Sequence, residues 1–125
     1  MYNAAADYTL AGSFGTKTAS VDAGADARDV AAAFNLISNE TNVKATAITR
    51  AQLVASTAAT TYSFTLQGKS STLSTVTATV TLTTDQTALR DAINAVSGST
   101  GITATLTSNK SAVNLVQAEG YDIIV

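Results

Sequence analysis

The residues closest to a reactive constellation are three carboxylates that precede a helical segment. Asp22 and Asp26 are separated by Ala-Gly-Ala and Asp29 lies nearby, and such an acidic loop could hold Ca²⁺ through oxygen ligands. The loop lacks the regularly spaced ligands and the closing glutamate of an EF-hand. We therefore expect a turn and a helix cap, with Asp26 accepting backbone N–H groups at the helix start. Asp85 holds the same place before a second helical pattern.

Other chemistry is limited by the residue types that are missing. The chain has no histidine and no cysteine, so it lacks an imidazole base, a thiolate nucleophile and the usual ligands of zinc, haem and iron–sulfur clusters. Serine–lysine catalysis is an alternative with no supporting spacing. Two N-glycosylation triplets begin at Asn39 and Asn109, a pattern that arises by chance in such sequences. We expect Phe34, Tyr62 and Phe64 in the core, and no catalytic, cofactor-binding or metal-binding residue.

Composition narrows the class of protein further. Of the 125 residues, 24 are Ala, 22 are Thr and 12 are Ser, so large core-forming side chains are scarce. Seven Lys and Arg against nine Asp and Glu argue against a nucleic-acid partner, which requires a basic patch. The longest uncharged stretch is interrupted by polar residues, and the first residues do not resemble a signal peptide, so we expect no membrane span. The apolar last residues suggest a domain cut from a longer protein.

An internal repeat organises the chain. A shift of 59 residues aligns residues 18–46 with 77–105 and pairs Asp26 with Asp85 and Asn35 with Asn94. Gaps of three residues extend the alignment to residues 9–12 with 65–68, and to residues 53–54 with 115–116. We therefore predict two repeat units, residues 1–60 and residues 61–125.

Hydrophobic periodicity predicts the same elements in both units. Apolar and polar residues alternate over residues 62–66, 76–83 and 102–106, which indicates half-buried strands. The next strands are predicted at residues 113–116 and 121–125. After the strand at residues 76–83 the spacing of the apolar residues becomes helical, and the same change occurs in the first unit, so one short helix is predicted in each unit. The apolar residues of the predicted helix are Val30, Ala33, Phe34 and Ile37 in the first unit, and Leu89, Ala92, Ile93 and Val96 in the second.

Each unit is thus predicted to be β-β-α-β-β, with one short helix packed on a small antiparallel sheet, and the fold class is α+β. In the first unit, residues 43–48 are the predicted strand after the helix, and the polar residues 56–61 are the predicted connector.

The helix exits carry aligned residues that tolerate left-handed backbone angles. Gly98 and Gly101 in the second unit align with Asn39 and Asn42 in the first. Because Gly and Asn adopt positive φ more readily than other residues, we predict positive φ at all four positions.

The second unit resembles the flagellin "IN" motif. The residues that carry the resemblance are Ala-Ile-Asn-Ala at 92–95, Gly98, and the strand Gly-Ile-Thr-Ala-Thr-Leu at 101–106. The flanking strands at 62–66 and 114–123 fit the same motif, and the first unit is similar to a diverged second copy.

The resemblance implies a structural, non-enzymatic protein without cofactors. It points to the surface-exposed outer, variable region of a flagellin in the extracellular filament of the bacterial flagellum. Neighbouring flagellin subunits are the implied partners, and host antibodies are a further possibility. Because the chain has no heptad repeat, we expect the isolated chain to be monomeric. A hook-associated or filament-cap protein is the alternative within the family, and an adhesin or carbohydrate-binding module is the alternative of another class.

Overall fold

The computed structural model describes residues 4–54 and 58–125, and these residues form two compact units. One unit comprises the residues up to Ile48 together with Glu119–Tyr121, and the other comprises Thr49–Ala118 with Asp122–Val125. The elements, in chain order, are β1 (Ala6–Gly12), β2 (Gly15–Val21), α1 (Ala27–Leu36), α2 (Ser38–Thr41), β3 (Thr49–Val54), β4 (Thr61–Leu66), β5 (Ser74–Thr79), α3 (Thr87–Ala95), α4 (Ser97–Thr100), β6 (Ile102–Leu106) and β7 (Ala112–Gln117).

Small antiparallel sheets and short helices make this an α+β protein, as predicted. In the described residues, β1 pairs with β2, β4 pairs with β5, and a three-stranded sheet has the order β3-β7-β6. The solvent-facing positions of β4 and β5 carry Thr and Ser, and opposite pairs such as Thr61 and Thr79 join their hydroxyl groups at 2.9 Å. β-Branched Thr suits this exposed, pleated face, which explains the threonine content of these strands.

The second unit holds the larger core. Its helix α3 packs Leu89 and Ile93 against the inner faces of β5 and β6, in agreement with the predicted helical spacing. The fully buried aliphatic side chains of this core are Leu66, Val76, Val80, Ile93, Ile102, Val113 and Leu115. In the first unit the buried residues are mostly small, such as Ala19, Ala25 and Ala31, so the layers are thin.

The strand predicted at residues 43–48 is wrong. These residues alternate between half-buried and exposed positions, but they have no regular secondary structure and form no ladder with another described strand. The strand that follows them, β3, pairs with β7 in the second unit instead. Alternation alone does not make a strand, because a strand also needs a partner edge for its backbone hydrogen bonds.

Two other predictions of secondary structure need correction. Residues 121–125 contribute only an isolated bridge, in which Ile124 and Gln67 exchange backbone hydrogen bonds of 2.9 and 3.0 Å. Each repeat also has a second short helix, α2 or α4, that periodicity did not reveal. The connector predicted at residues 56–61 lies partly outside the described residues, and the domain limits at residues 60 and 61 stay a prediction about the sequence repeats.

Candidate functional site

The asparagine of the repeated motif joins each main helix to the segment that follows it. In the second unit, the Asn94 side chain donates to the carbonyl of Ala104 at 2.9 Å and accepts from its N–H at 2.8 Å. In the first unit, Asn35 makes the same two bonds to Ala45, both at 2.8 Å. The carboxamide thereby replaces a neighbouring strand on one edge of each segment, because it offers one donor and one acceptor at strand spacing. These two hydrogen bonds make each asparagine a residue that positions the backbone of the following segment.

A threonine turns the chain at the end of each short helix. The Thr100 hydroxyl donates to the carbonyl of Val96 at 3.0 Å and accepts from the N–H of Ile102 at 3.2 Å. Thr41 makes the equivalent bonds at 3.1 and 3.2 Å, and both threonines are buried. A buried hydroxyl that is satisfied in this way is a structural group, and it is not available as a nucleophile.

The positive-φ prediction holds at two of the four positions. Asn42 has a φ of 59° and Gly101 a φ of 68°, and each N–H closes the preceding helix with a 2.7 Å bond to the carbonyl four residues earlier. At Asn39 and Gly98 the prediction is wrong, since both residues lie inside the short helices α2 and α4. The helix exit lies one short turn later than the periodicity of α1 and α3 suggested.

A glycine approaches each of these corners from the preceding hairpin. A Cβ atom at Gly12 or Gly68 would collide with the carbonyl oxygen of Thr41 or Thr100 respectively. At the second corner, the same carbonyl accepts from the N–H of Lys69 at 2.9 Å. The sequence alignment paired these two glycines, but only the structure shows why no side chain fits there.

The acidic loop forms a turn and a helix cap. The Asp26 side chain accepts from the N–H of Asp29 at 2.9 Å, which confirms the predicted cap of α1. Across the described parts of the chain, no group of three or more potential ligand side chains could hold a metal ion. The prediction that the chain has no metal-binding, cofactor-binding or catalytic residue stays a prediction.

Asp85 supports the start of α3 in a slightly different way. Its carboxylate accepts from both the hydroxyl and the N–H of Thr87, while the N-cap residue itself is Gln86. These two hydrogen bonds hold the pKa of Asp85 below its ordinary value of 3.8, with smaller contributions from the positive charges of Lys110 and Arg90. The Asp85 side chain is partly exposed to solvent. Its lowered pKa therefore comes mainly from the hydrogen bonds with Thr87 at the start of α3.

The aromatic residues predicted in the core lie at its margin and are only half-buried. Tyr62 and Phe64 lie against the core of the second unit, and Phe34 meets Tyr8 edge to face at 5.9 Å in the first. The glycosylation triplets fall on exposed Asn39 in α2 and on exposed Asn109 in a turn, where the side-chain Oδ1 of Asn109 accepts from the N–H and the hydroxyl of Ser111.

Sequence reasoning missed one charged contact in the first unit. The guanidinium of Arg28 lies 4.7 Å from the centre of the Tyr121 ring, and the Arg28 N–H donates to the carbonyl of Gly120 at 3.1 Å. The two residues are far apart in the sequence, and no local pattern links them. Their contact ties the segment Glu119–Tyr121 to the start of α1.

The helices found in the described residues are short, and none of them has the length and apolar character that a membrane span requires. In both units, the corners after the short helices are held by buried threonine hydroxyls, and the exposed faces of β4 and β5 carry Thr and Ser.

Comparison with known proteins agrees with this description. Residues 63–118 match a family described as the flagellin hook IN motif, a segment that covers somewhat less than half of the chain. The matched segment begins in β4 and ends just after β7, so it contains the Asn94 clamp and the Thr100 corner. No curated protein matches the chain.

Residues 63–118 are therefore similar to the flagellin IN motif, which supports a relationship of this part of the chain to flagellins. Flagellins are structural proteins of the bacterial flagellum, an extracellular appendage used for motility, and they assemble with other flagellin subunits. The resemblance noted in the sequence is confirmed by the match.

Proposed function

We propose that this chain is a surface-exposed outer domain of a flagellin subunit in the flagellar filament. The observation that supports the proposal is the IN motif at residues 63–118, folded into a compact unit whose exposed strand faces carry Thr and Ser. The exposed faces of β4 and β5 offer neighbouring subunits a polar surface of Thr and Ser. Its partners in this function are neighbouring flagellin subunits, its location is extracellular, and its outer face is open to host antibodies.

Rigidity fits this function better than catalysis does. Each helix is fixed to its following segment by an asparagine clamp and a threonine corner, so the unit holds its shape without a ligand. A filament surface must resist shear, and satisfied buried hydrogen bonds make local opening costly. The proposed domain is accordingly not an enzyme.

Replacing the segment in its parent protein tests the proposal. A deletion of this segment, bridged by a short Gly/Ser linker, should still be exported and should still form filaments visible by electron microscopy. Antibodies raised against the segment should label wild-type filaments along their length and leave the deletion filaments unlabelled. Loss of all filaments from a well-expressed, exported deletion protein would contradict an outer position.

The second candidate is a domain of a hook-associated or filament-cap protein. It is favoured by the description of the matching family, which refers to the hook. The same antibodies separate the two candidates, because labelling restricted to the hook junction or to the filament tip would support this one.

A further inference from the structure

The first unit has an open groove beside a helix face whose equivalent in the second unit is largely buried. A groove of about 320 Å³ lies between α1 and residues 45–48, and its lining includes Ala27, Val30 and Phe34. The repeat equivalents of these three residues, 59 positions later, are Gln86, Leu89 and Ile93. All three are buried, whereas Ala27 is exposed and Val30 and Phe34 are only half-buried. The same helix face is therefore more deeply buried in the second unit, where Gln86 and Leu89 line only a smaller cleft of about 230 Å³.

Strand β7 provides the cover in the second unit. It pairs with β6, and its inward side chains Val113 and Leu115 are fully buried in the core that contains Leu89 and Ile93. Asn94 occupies the backbone groups of Ala104 on the opposite edge of β6. Because the backbone N–H and C=O groups of successive residues point to alternate edges of a strand, those of Thr103 and Thr105 point towards β7.

Residues 43–48 of the first unit present the same edge without a partner strand. Asn35 occupies the backbone groups of Ala45, so the N–H and C=O groups of Lys44 and Thr46 point to the other edge. Within residues 4–54 and 58–125, no hydrogen bond reaches the backbone of Lys44 or Thr46. An apolar groove beside an open strand edge is the geometry that accepts an added β-strand.

The strand that follows in sequence is prevented from folding back into this groove. The second unit turns from β6 to β7 through residues 107–111, where Lys110 adopts a φ of 58° and donates its N–H to Thr107. In the repeat alignment the first unit has three fewer residues at this place. Only Ile48 and Thr49, both β-branched, would be available to form the corresponding turn. Two-residue hairpins need positive φ, which β-branched residues strongly disfavour.

The geometry points to β3 of a second copy of this chain as the strand that completes the groove. In its own chain β3 lies at the edge of the sheet, and its pairing with β7 engages one side only. Along β7, the backbone N–H and C=O groups of Asn114 and Val116 point towards β6, so those of Val113 and Leu115 point towards β3. Their partners in β3 are Leu53 and Ala51. The backbone groups of Gln52 and Val54 therefore point to the outer edge of β3.

The repeat alignment also supplies the register of this intermolecular pairing. The pairs Thr103 with Val116 and Thr105 with Asn114 become Lys44 with Val54, and Thr46 with Gln52 of the second copy. In all four residues, the backbone N–H and C=O groups point to a strand edge that has no paired strand in the described chain. Leu53 then comes opposite Ala45, as Leu115 comes opposite Ala104 in the second unit, and covers the α1 groove.

The paired segment is short, so we expect the association between two copies of the chain to be weak. Gly120 lies against the backbone of Arg28 and against Ala47, which is one of the residues that line the groove. The remaining contact of a few residues buries much less than the roughly 1,200 Å² of a standard interface. Free chains at tens of micromolar should therefore stay monomeric, and pairing should appear only at high concentration or among tethered copies. The pairing does not depend on the filament function.

Disulfide trapping tests this register directly, because the chain has no cysteine of its own. A Thr46→Cys chain and a mass-tagged Gln52→Cys chain are mixed at about millimolar concentration and oxidised slowly. Opposite residues of a hydrogen-bonded antiparallel pair have Cα atoms about 5.5 Å apart, which is within disulfide range. The matched control replaces Thr46→Cys with Thr105→Cys, the exposed repeat equivalent on a strand edge that is already paired.

We expect the Thr46/Gln52 heterodimer to form at least about tenfold faster than the Thr105/Gln52 control, since only the first pair is held in disulfide geometry. Adding Lys44→Pro to the Thr46→Cys chain should reduce the rate to that of the control, because proline removes one of the N–H donors. Amide exchange at Lys44 and Thr46 in the unmodified chain should slow as its concentration rises. Equal rates for the two pairs, an unaffected proline variant, or concentration-independent exchange would each overturn the proposal.

Discussion

The asparagine clamp of the IN motif gives the sharpest prediction about stability. Asn94→Ala removes both hydrogen bonds to Ala104 and leaves the outer edge of β6 without its partner in a half-buried position. Two net hydrogen bonds correspond to about 1–3 kcal/mol. Alanine regains roughly 0.6 kcal/mol of helix propensity in α3. We therefore expect a net loss of about 0.5–2.5 kcal/mol in the free energy of unfolding.

Urea denaturation followed by circular dichroism measures this loss, provided that the slope of the transition is unchanged. Asn35→Ala is the matched control, because it removes the same two bonds to Ala45 at a site that is more exposed. Water can replace hydrogen bonds at an exposed site, so this variant should cost less than Asn94→Ala. If Asn94→Ala is neutral, or if the control costs more, the clamp does not stabilise the fold as argued here.

Three further changes have defined outcomes. Gly101→Val should lower the free energy of unfolding by about 1–2 kcal/mol or more, because the site has a φ of 68° and a Cβ atom would press on the Gln117 side chain. Asn42→Gly, at the equivalent site of the first unit, should be nearly neutral in the same urea denaturation, because Gly adopts positive φ without strain. The pKa of Asp85 is lowered in the folded state, so its stabilising contribution is present above the unfolded pKa near 3.8 and is lost as the pH falls through the lower, folded value. Asp85→Asn should therefore weaken this acid dependence in melts between about pH 5 and 2, and an unchanged dependence would exclude the capping role. Melting midpoints of the unmodified chain should differ by less than about 8 °C between pH 6 and 9, because the chain has no histidine to titrate there, and a larger change would show a strongly shifted group.

Several features could be predicted because their signals are local. The helices α1 and α3 follow from apolar residues at helical spacing, and the cap at Asp26 follows from a carboxylate just before such a pattern. Asn42 and Gly101 were predicted at positive φ because few residue types tolerate that conformation. The IN motif was recognised from a short run of residues that the family comparison then matched.

The positions of Asn39 and Gly98 show where local reasoning ends. Their residue types are compatible with a helix exit, but the chain continues for one more short helix, whose terminal Thr41 or Thr100 is buried and hydrogen-bonded. The buried threonine fixes the end of the turn, and burial depends on residues far away in the sequence.

The sequence by itself determined the helices α1 and α3, the cap at Asp26, the left-handed residues Asn42 and Gly101 and the repeated motif, because each depends on neighbouring residues. Only the tertiary structure decided which strands pair. Residues 43–48 have the alternation of a strand, yet they have no strand partner in the described chain, while β3 pairs with β7 more than 50 positions away. Strand pairing is a competition between edges that are distant in sequence. A loop of two β-branched residues, rather than any property of the strands themselves, excludes the local hairpin.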